Sequence, residues 1–238
     1  MTLTPDTLSD AGTEPAVDAT FGSGGAEPYA RALRRDGRLR MVRSGDSGAA
    51  LEHDDDAFDV AKWSADADLA DLSTLDGAAS VLDVGCGPAR MVRAALGRGL
   101  RALGVDVSPV AVELARAAGL PVVAGSVFDA LPHEGYWDAV LLLDGNIGIG
   151  GDPTALLARC GDVASATGGV VVETADDAAL DDVYLARVVD DRGSESDPFP
   201  WAEVGADALV EHARGAGLSV VQTWVVDGRT FCRLARTR

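Results

Sequence analysis

From Ser80 to the C-terminus, short apolar runs alternate with longer stretches whose apolar positions recur at helical spacing. The runs, rich in Val and Leu, predict strands at 80–84, 101–106, 121–124, 137–143, 169–173, 219–226 and 229–235. The stretches between them predict helices near 88–97, 109–118, 153–165 and 205–216. Strands that alternate with helices specify a parallel sheet covered on both faces. Pro109 follows Ser108, which is the order of a serine N-cap and a proline in the first helical turn. The last two runs meet at Asp227-Gly228, a two-residue hairpin turn, so the seventh strand runs antiparallel to its neighbour.

Before Ser80 the pattern is weaker. Residues 1–26 mix Thr, Asp, Ser, Gly and Pro without apolar periodicity, as a disordered tail ending in Gly22-Ser-Gly-Gly25 does. Pro28–Arg35 predicts a short helix, and Arg38–Arg43 with Ala49–Glu52 predict a hairpin around Ser44-Gly-Asp-Ser-Gly48. Two short helices, Asp59–Trp63 and Ala65–Leu72, lead into the sheet. The expected division is a tail over 1–26, a helix and hairpin appendage over 27–76, and a main α/β domain over 77–238.

Composition narrows the function classes. A chain of 238 residues buries one substantial core. Its formal charge of −18 repels a phosphate backbone, which argues against nucleic acid and for small molecules. Arg31, Arg34, Arg35, Arg38, Arg40 and Arg43 form a local exception, opposite in sign to Glu52, Asp54, Asp55 and Asp56; pairing within the chain on a solvated face is the expectation, and an acidic substrate or partner is the alternative. Lys62 is the only lysine, a composition similar to that of actinobacterial proteins. No apolar run is long enough to cross a bilayer, and the first twenty residues lack the basic and apolar parts of a signal peptide. A cytoplasmic protein without a membrane partner is the expectation. Cys86, Cys160 and Cys232 are widely spaced, so neither a disulfide framework nor a metal site is expected.

The candidate chemistry lies at Ser80-Val-Leu-Asp-Val-Gly-Cys-Gly-Pro-Ala-Arg90, where an apolar run ends in an acid and two glycines before a helix. Gly85 and Gly87 let the main chain bend and approach a ligand without a Cβ in the way. Nineteen residues after Gly87, Asp106 closes the next strand, where a carboxylate accepts bonds from ribose hydroxyls. A dinucleotide turn starting at Gly85 needs a small residue at position 90, and Arg90 stands there.

These residues resemble the class I S-adenosylmethionine-dependent methyltransferases over roughly residues 75–238. The resemblance rests on Val81-Leu82-Asp83-Val84-Gly85-Cys86-Gly87-Pro88-Ala89, Gly104-Val-Asp106-Val-Ser108, Gly125-Ser-Val-Phe-Asp129 and Trp137–Asp144. It implies a Rossmann-like seven-stranded, mostly parallel sheet with an antiparallel last strand, helices on both faces and a small N-terminal α+β appendage. It further implies S-adenosyl-L-methionine as cofactor, and methyl transfer to a small-molecule acceptor. By the same resemblance, Asp83 shapes the loop and meets the methionine amino group, and Gly85, Cys86 and Gly87 underlie the methionine portion. Asp106 takes the ribose, Val127 and Asp129 read the adenine edge, and Val107 and Phe128 pack on its faces. One position departs from the family pattern: Ala89 replaces a third glycine and is expected to adopt ordinary helical angles.

Asp144 and Asn146, in the glycine-rich loop after the fourth strand, are expected beside donor or acceptor. Tyr29, Phe58, Trp63 and the stretch Asp176–Trp201 are candidates for acceptor contacts. His133, Glu173 and His212 are titratable, but none stands in a catalytic arrangement, and no base is assigned. An NAD(P)-dependent oxidoreductase and a non-catalytic nucleoside-binding protein are the alternatives.

Overall fold

The structure is a computed structural model that describes residues 20–25, 27–35, 37–44 and 60–237. The N-terminal part supplies α1 (Pro28–Arg35), β1 (Leu39–Arg43), α2 (Val60–Ser64) and α3 (Leu69–Ser73). The sheet domain follows as β2 (Ser80–Val84), α4 (Arg90–Gly97), β3 (Arg101–Asp106), α5 (Pro109–Ala117), β4 (Val122–Ala124) and β5 (Trp137–Leu142). A 3₁₀ segment (Asn146–Gly151), α6 (Pro153–Val163), β6 (Ala164–Glu173), β7 (Asp181–Asp190) and β8 (Phe199–Val204) come next. The chain then forms α7 (Ala206–Gly215), β9 (Leu218–Val226) and β10 (Arg229–Arg236).

Seven strands form one sheet in the order β4-β3-β2-β5-β6-β10-β9. β10 pairs antiparallel with both β6 and β9, so it is the single reversed strand. Asp227 and Gly228 join β9 to β10 with positive φ at both residues, as the Asp-Gly pair implies. The inner strand β2 is buried at every position, because helices cover both faces. Val81, Leu141, Val171 and Phe231 face α3 and α4, whereas Leu82, Val140, Val172 and Leu234 face α6 and α7. Each such side chain contributes about 1.5–3 kcal/mol on burial.

A second sheet has the order β1-β7-β8 and is antiparallel throughout. The appendage is therefore not built from the N-terminal segment alone. β1 pairs with β7, with Leu39 opposite Asp190 and Arg43 opposite Ala186. The second arm of the expected hairpin, 49–52, and Phe58 lie outside the described residues. Most of the expected tail lies outside them too, but Thr20–Gly25 is described and packs Phe21 against Tyr29 of α1.

Two glycines of the 3₁₀ segment let the sheets meet. A Cβ on Gly148 would lie 2.6 Å from Trp201 Cε2, and one on Gly151 would lie 2.8 Å from Pro200 Cβ. The glycine-rich loop is thus the seam that docks β8 onto the larger sheet.

Candidate active site

Beyond Val84 the chain turns through three left-handed residues: Gly85 (φ 67°), Gly87 (φ 52°) and Ala89 (φ 69°). Ala89 thus departs from the helical angles expected of it and stands as the residue before α4, which starts at Arg90 rather than at 88. A left-handed alanine costs about 1–2 kcal/mol. Its methyl group is fully buried beside Cys86, Val92 and Val112, which offsets part of that cost.

The turn is stapled from the neighbouring loop. Asn146 Nδ2 donates to Val84 O (2.8 Å) and Gly85 O (3.2 Å). A Cβ on Gly85 would lie 2.8 Å from that same Nδ2, so this close approach requires glycine. Cys86 packs its Sγ against Gly104 of β3, and burial, with Asp83 and Asp106 nearby, pushes its thiol pKa up. A buried, protonated thiol is a space-filling group rather than a nucleophile.

Asp106 closes the loop from the next strand. Its Oδ2 accepts from Gly87 N (2.7 Å) and its Oδ1 from Ser108 N (2.8 Å), while burial raises its carboxyl above the ordinary value despite these bonds. Each oxygen retains lone-pair capacity toward the cavity. Asp83 differs. It is 4 % exposed and faces the same cavity, and no hydrogen bond from a described residue reaches its carboxylate. Burial, reinforced by the Asp144 and Asp106 charges, holds its carboxyl well above the usual carboxylate range. A buried, unpartnered acid aimed at open space is a group awaiting a cationic partner.

Val107, Val127 and Phe128 line the far wall. Asp129 does not join them: its Oδ2 turns back to accept from Ser126 N (3.0 Å), and the residue is exposed. Sequence reasoning passed over Arg159 of α6, whose Nε donates to Val127 O (2.8 Å) and whose Nη2 donates to Asp129 O (2.5 Å). Lone arginines on helices carry no spacing signal, so nothing in the pattern marks it.

Beneath the cavity lies a cluster of ionised groups. Arg90, 4 % exposed, donates to Asp71 through Nη1 and to Asp144 through Nη2. Arg229 meets Glu173 with two bonds of 2.7 Å and Asp71 Oδ1 at 2.9 Å, and it lies 3.7 Å from Asp144 Oδ1. A capping box fixes Asp71: its main-chain N–H donates to Asp68 Oδ1 (2.8 Å), and Asp68 N–H donates to Asp71 Oδ2 (3.1 Å). Asp144 is therefore a cavity residue whose charge is already neutralised by Arg90. Glu173 is held by Arg229 and by the Asp144 main-chain N–H (2.8 Å), so it is not placed to take a substrate proton.

The roof comes from the second sheet and the N-terminal segment. Phe21 sits at its centre, 5.1 Å from Tyr29, 5.4 Å from Phe199, 5.5 Å from Trp201 and 6.4 Å from Trp63 between ring centroids. Tyr29, Trp63 and Trp201 line the cavity with it. Tyr29 stands over the glycine turn, since a Cβ on Gly87 would lie 3.5 Å from its hydroxyl. Burial, with Asp106 and Cys86 adding, raises that hydroxyl well above its ordinary pKa. The cavity measures about 760 Å³, within the range of small-molecule sites. His133 and His212 lie elsewhere: His133 packs on Trp137, and His212 Nε2 meets Asp181 at 2.9 Å.

Comparison with known proteins agrees with this fold. Residues 81–169 match the family described as "Methyltransferase domain". Among solved structures, the chain resembles a SAM-dependent methyltransferase from Bacteroides fragilis, crystallised with S-adenosyl-L-homocysteine. That alignment has 19 % identity and a TM-score of 0.70, and covers 89 % of this chain and 93 % of that one. The CcbJ methyltransferase of Streptomyces caelestis matches at 13 % identity and TM-score 0.55, covering 74 % and 92 %. The 1,6-didemethyltoxoflavin-N1-methyltransferase of Burkholderia thailandensis matches at 21 % identity and TM-score 0.52, covering 71 % and 77 %. A comparison with curated proteins gives no match. Residues 81–169 thus match the methyltransferase-domain family model, and the sheet that carries them has the fold of the S-adenosylmethionine-dependent methyltransferases.

Proposed function

We propose that this methyltransferase draws its methyl group from S-adenosyl-L-methionine and delivers it to a small organic acceptor held beneath the aromatic roof. The observation that carries the reading is Asp83: a buried, unpartnered carboxylate in the same cavity as the glycine turn and Asp106. These residues fit the donor. Asp83 suits an ammonium group, the Cβ-free turn suits close approach by the methionine portion, and Asp106 suits the two sugar hydroxyls.

When bound, S-adenosyl-L-methionine supplies an electrophilic methyl carbon on a sulfonium. The chain's own part is to bind and orient. Asp83 holds the ammonium end and Asp106 the ribose. Val107 and Phe128 sandwich the base, and the Val127 main-chain N–H reads its edge. Asp129, with Arg159, fixes the turn that presents that N–H. Asn146 keeps the glycine turn in register, and Asp144, locked by Arg90, shapes the floor near the methyl group. Positioning of this kind accounts for roughly 7–11 kcal/mol of barrier lowering where the reactants are held in near-attack geometry.

Supporting arguments come from outside the cavity. The charge of −18 argues against a nucleic-acid acceptor. No described helix is long and apolar enough to cross a membrane, and the three cysteines are buried and free, which supports residence in a reducing cytoplasm. Calorimetric titration with S-adenosyl-L-methionine, S-adenosyl-L-homocysteine and NADH tests the reading. The first two are expected to bind; binding of NADH alone overturns it in favour of an oxidoreductase.

A further inference from the structure

We infer that the acceptor is an amine on a flat apolar body, and that the cavity refuses carboxylates, phosphates and phenolates. The inference rests on the methyltransferase reading above and deepens it to a substrate class.

Three observations carry it. The roof is aromatic: Phe21, Tyr29, Trp63 and Trp201 line one side, with ring centroids 5.1–6.4 Å from Phe21. Such walls accept a flat apolar body, and their faces attract a cation. The lining is also negative. Among the described residues, Asp83, Asp106, Asp144 and Asp197 line the cavity against Arg90 alone, and both terminal nitrogens of Arg90 are already engaged, with Asp71 and Asp144. An acceptor carboxylate therefore meets no unengaged cation among these residues, and it meets the Asp106 and Asp197 carboxylates, which none of them neutralises. Finally, the three titratable candidates for a base are out of reach or tied: Glu173 to Arg229, His212 to Asp181, and His133 outside the lining.

The last two points separate nitrogen from oxygen. The reactive form of a phenol is its anion, which a negative cavity disfavours. The reactive form of an amine is its neutral base, which the same cavity tolerates, while the protonated form is drawn to the mouth. Asp197 sits there, exposed, with its carboxylate against Gly24 and its main-chain N–H donating to Ser23 O (3.0 Å). In the transfer, the nitrogen lone pair forms the N–C bond as the C–S bond breaks and its electron pair returns to sulfur. The methylated nitrogen then releases its proton to solvent at the mouth.

The test uses the full chain with three probes on one scaffold: 1-naphthylmethylamine, 1-naphthol and 1-naphthoate. Binding is measured by calorimetry with S-adenosyl-L-homocysteine present, and turnover by mass spectrometry with S-adenosyl-L-methionine. The amine is expected to bind at least tenfold tighter than the naphthoate and to be methylated at least tenfold faster than the naphthol. Asp197→Asn is expected to weaken amine binding at least fivefold, with naphthol and S-adenosyl-L-homocysteine unaffected. Naphthoate binding equal to that of the amine, faster methylation of naphthol, or no amine binding overturns the inference while leaving the donor reading intact. Failure of S-adenosyl-L-homocysteine to bind overturns both.

Discussion

Removing one guanidinium from beneath the cavity is expected to destabilise the whole domain. Arg90→Met keeps most of the side-chain volume but deletes the group that bridges Asp71 and Asp144. Arg90 is 4 % exposed and Asp71 is fully buried, so water does not replace the lost partner. Among the described residues, Arg229 is then the one remaining cation facing Asp68, Asp71, Asp144 and Glu173. Breaking a buried pair from one side costs about 3–5 kcal/mol, a large share of the ~5–15 kcal/mol that holds a domain together. For a chain of this size the urea slope lies near the upper end of about 1–3 kcal/mol/M, so the midpoint should fall by roughly 1–2 M. The assay is urea unfolding followed by tryptophan fluorescence and circular dichroism. Arg93→Met is the control, because Arg93 reaches the exposed Asp66 at 3.6 Å, and such a pair contributes about 0–1 kcal/mol. If Arg90→Met and Arg93→Met unfold at the same urea concentration, the buried cluster is not a structural element and the reasoning fails.

Other outcomes follow from the same geometry. Asp106→Ala should weaken S-adenosyl-L-homocysteine binding at least tenfold, about 1.4 kcal/mol, by calorimetry; an unchanged affinity removes Asp106 from the ribose role. Asp83 has a folded-state pKa raised above its ordinary 3.8, so its contribution to stability is complete below about pH 4 and is lost as pH rises through the folded value. Asp83→Asn should therefore gain melting temperature on the wild type between pH 4 and neutrality while losing donor affinity; parallel melting curves across that range would contradict the assignment. Gly85→Ala meets both a φ of +67° and the Asn146 amide, and should lose at least tenfold in donor affinity. Gly77→Ala, at φ +79° in open space, should lose stability of about 1–2 kcal/mol and leave donor binding intact.

The larger sheet was legible because its signals are local. Val81, Leu82 and Val84 belong to a strand buried on both faces, Ser108-Pro109 caps a helix, and Asp227-Gly228 can hardly do other than turn. The second sheet was hidden for a physical reason. In β7, Tyr184 and Ala186 point inward, yet outward-facing Val183 and Leu185 are also apolar, and Leu185 borders the cavity. A ligand-facing surface thus erased the alternation that marks a strand, and the pairing partner β1 lies far earlier in the chain. The glycine turn and Asp106, which the structure brings to one cavity, were readable from their spacing. Ala89 was misread because tertiary packing holds an alanine where its intrinsic preference argues against it, and the ion cluster was invisible because Asp71, Arg90, Asp144 and Arg229 converge only once the sheet forms.

In the roof, β7 is sandwiched between a strand from near the chain's beginning and one from well past its middle. Cutting away the leading segment would strip one flank of β7 of its main-chain partners and lay bare a ribbon carrying Val183 and Leu185. Such a ribbon recruits other chains. Trimmed versions of this protein should therefore self-associate, with the leading segment acting as a built-in guard against clumping as well as a cover for the reaction chamber.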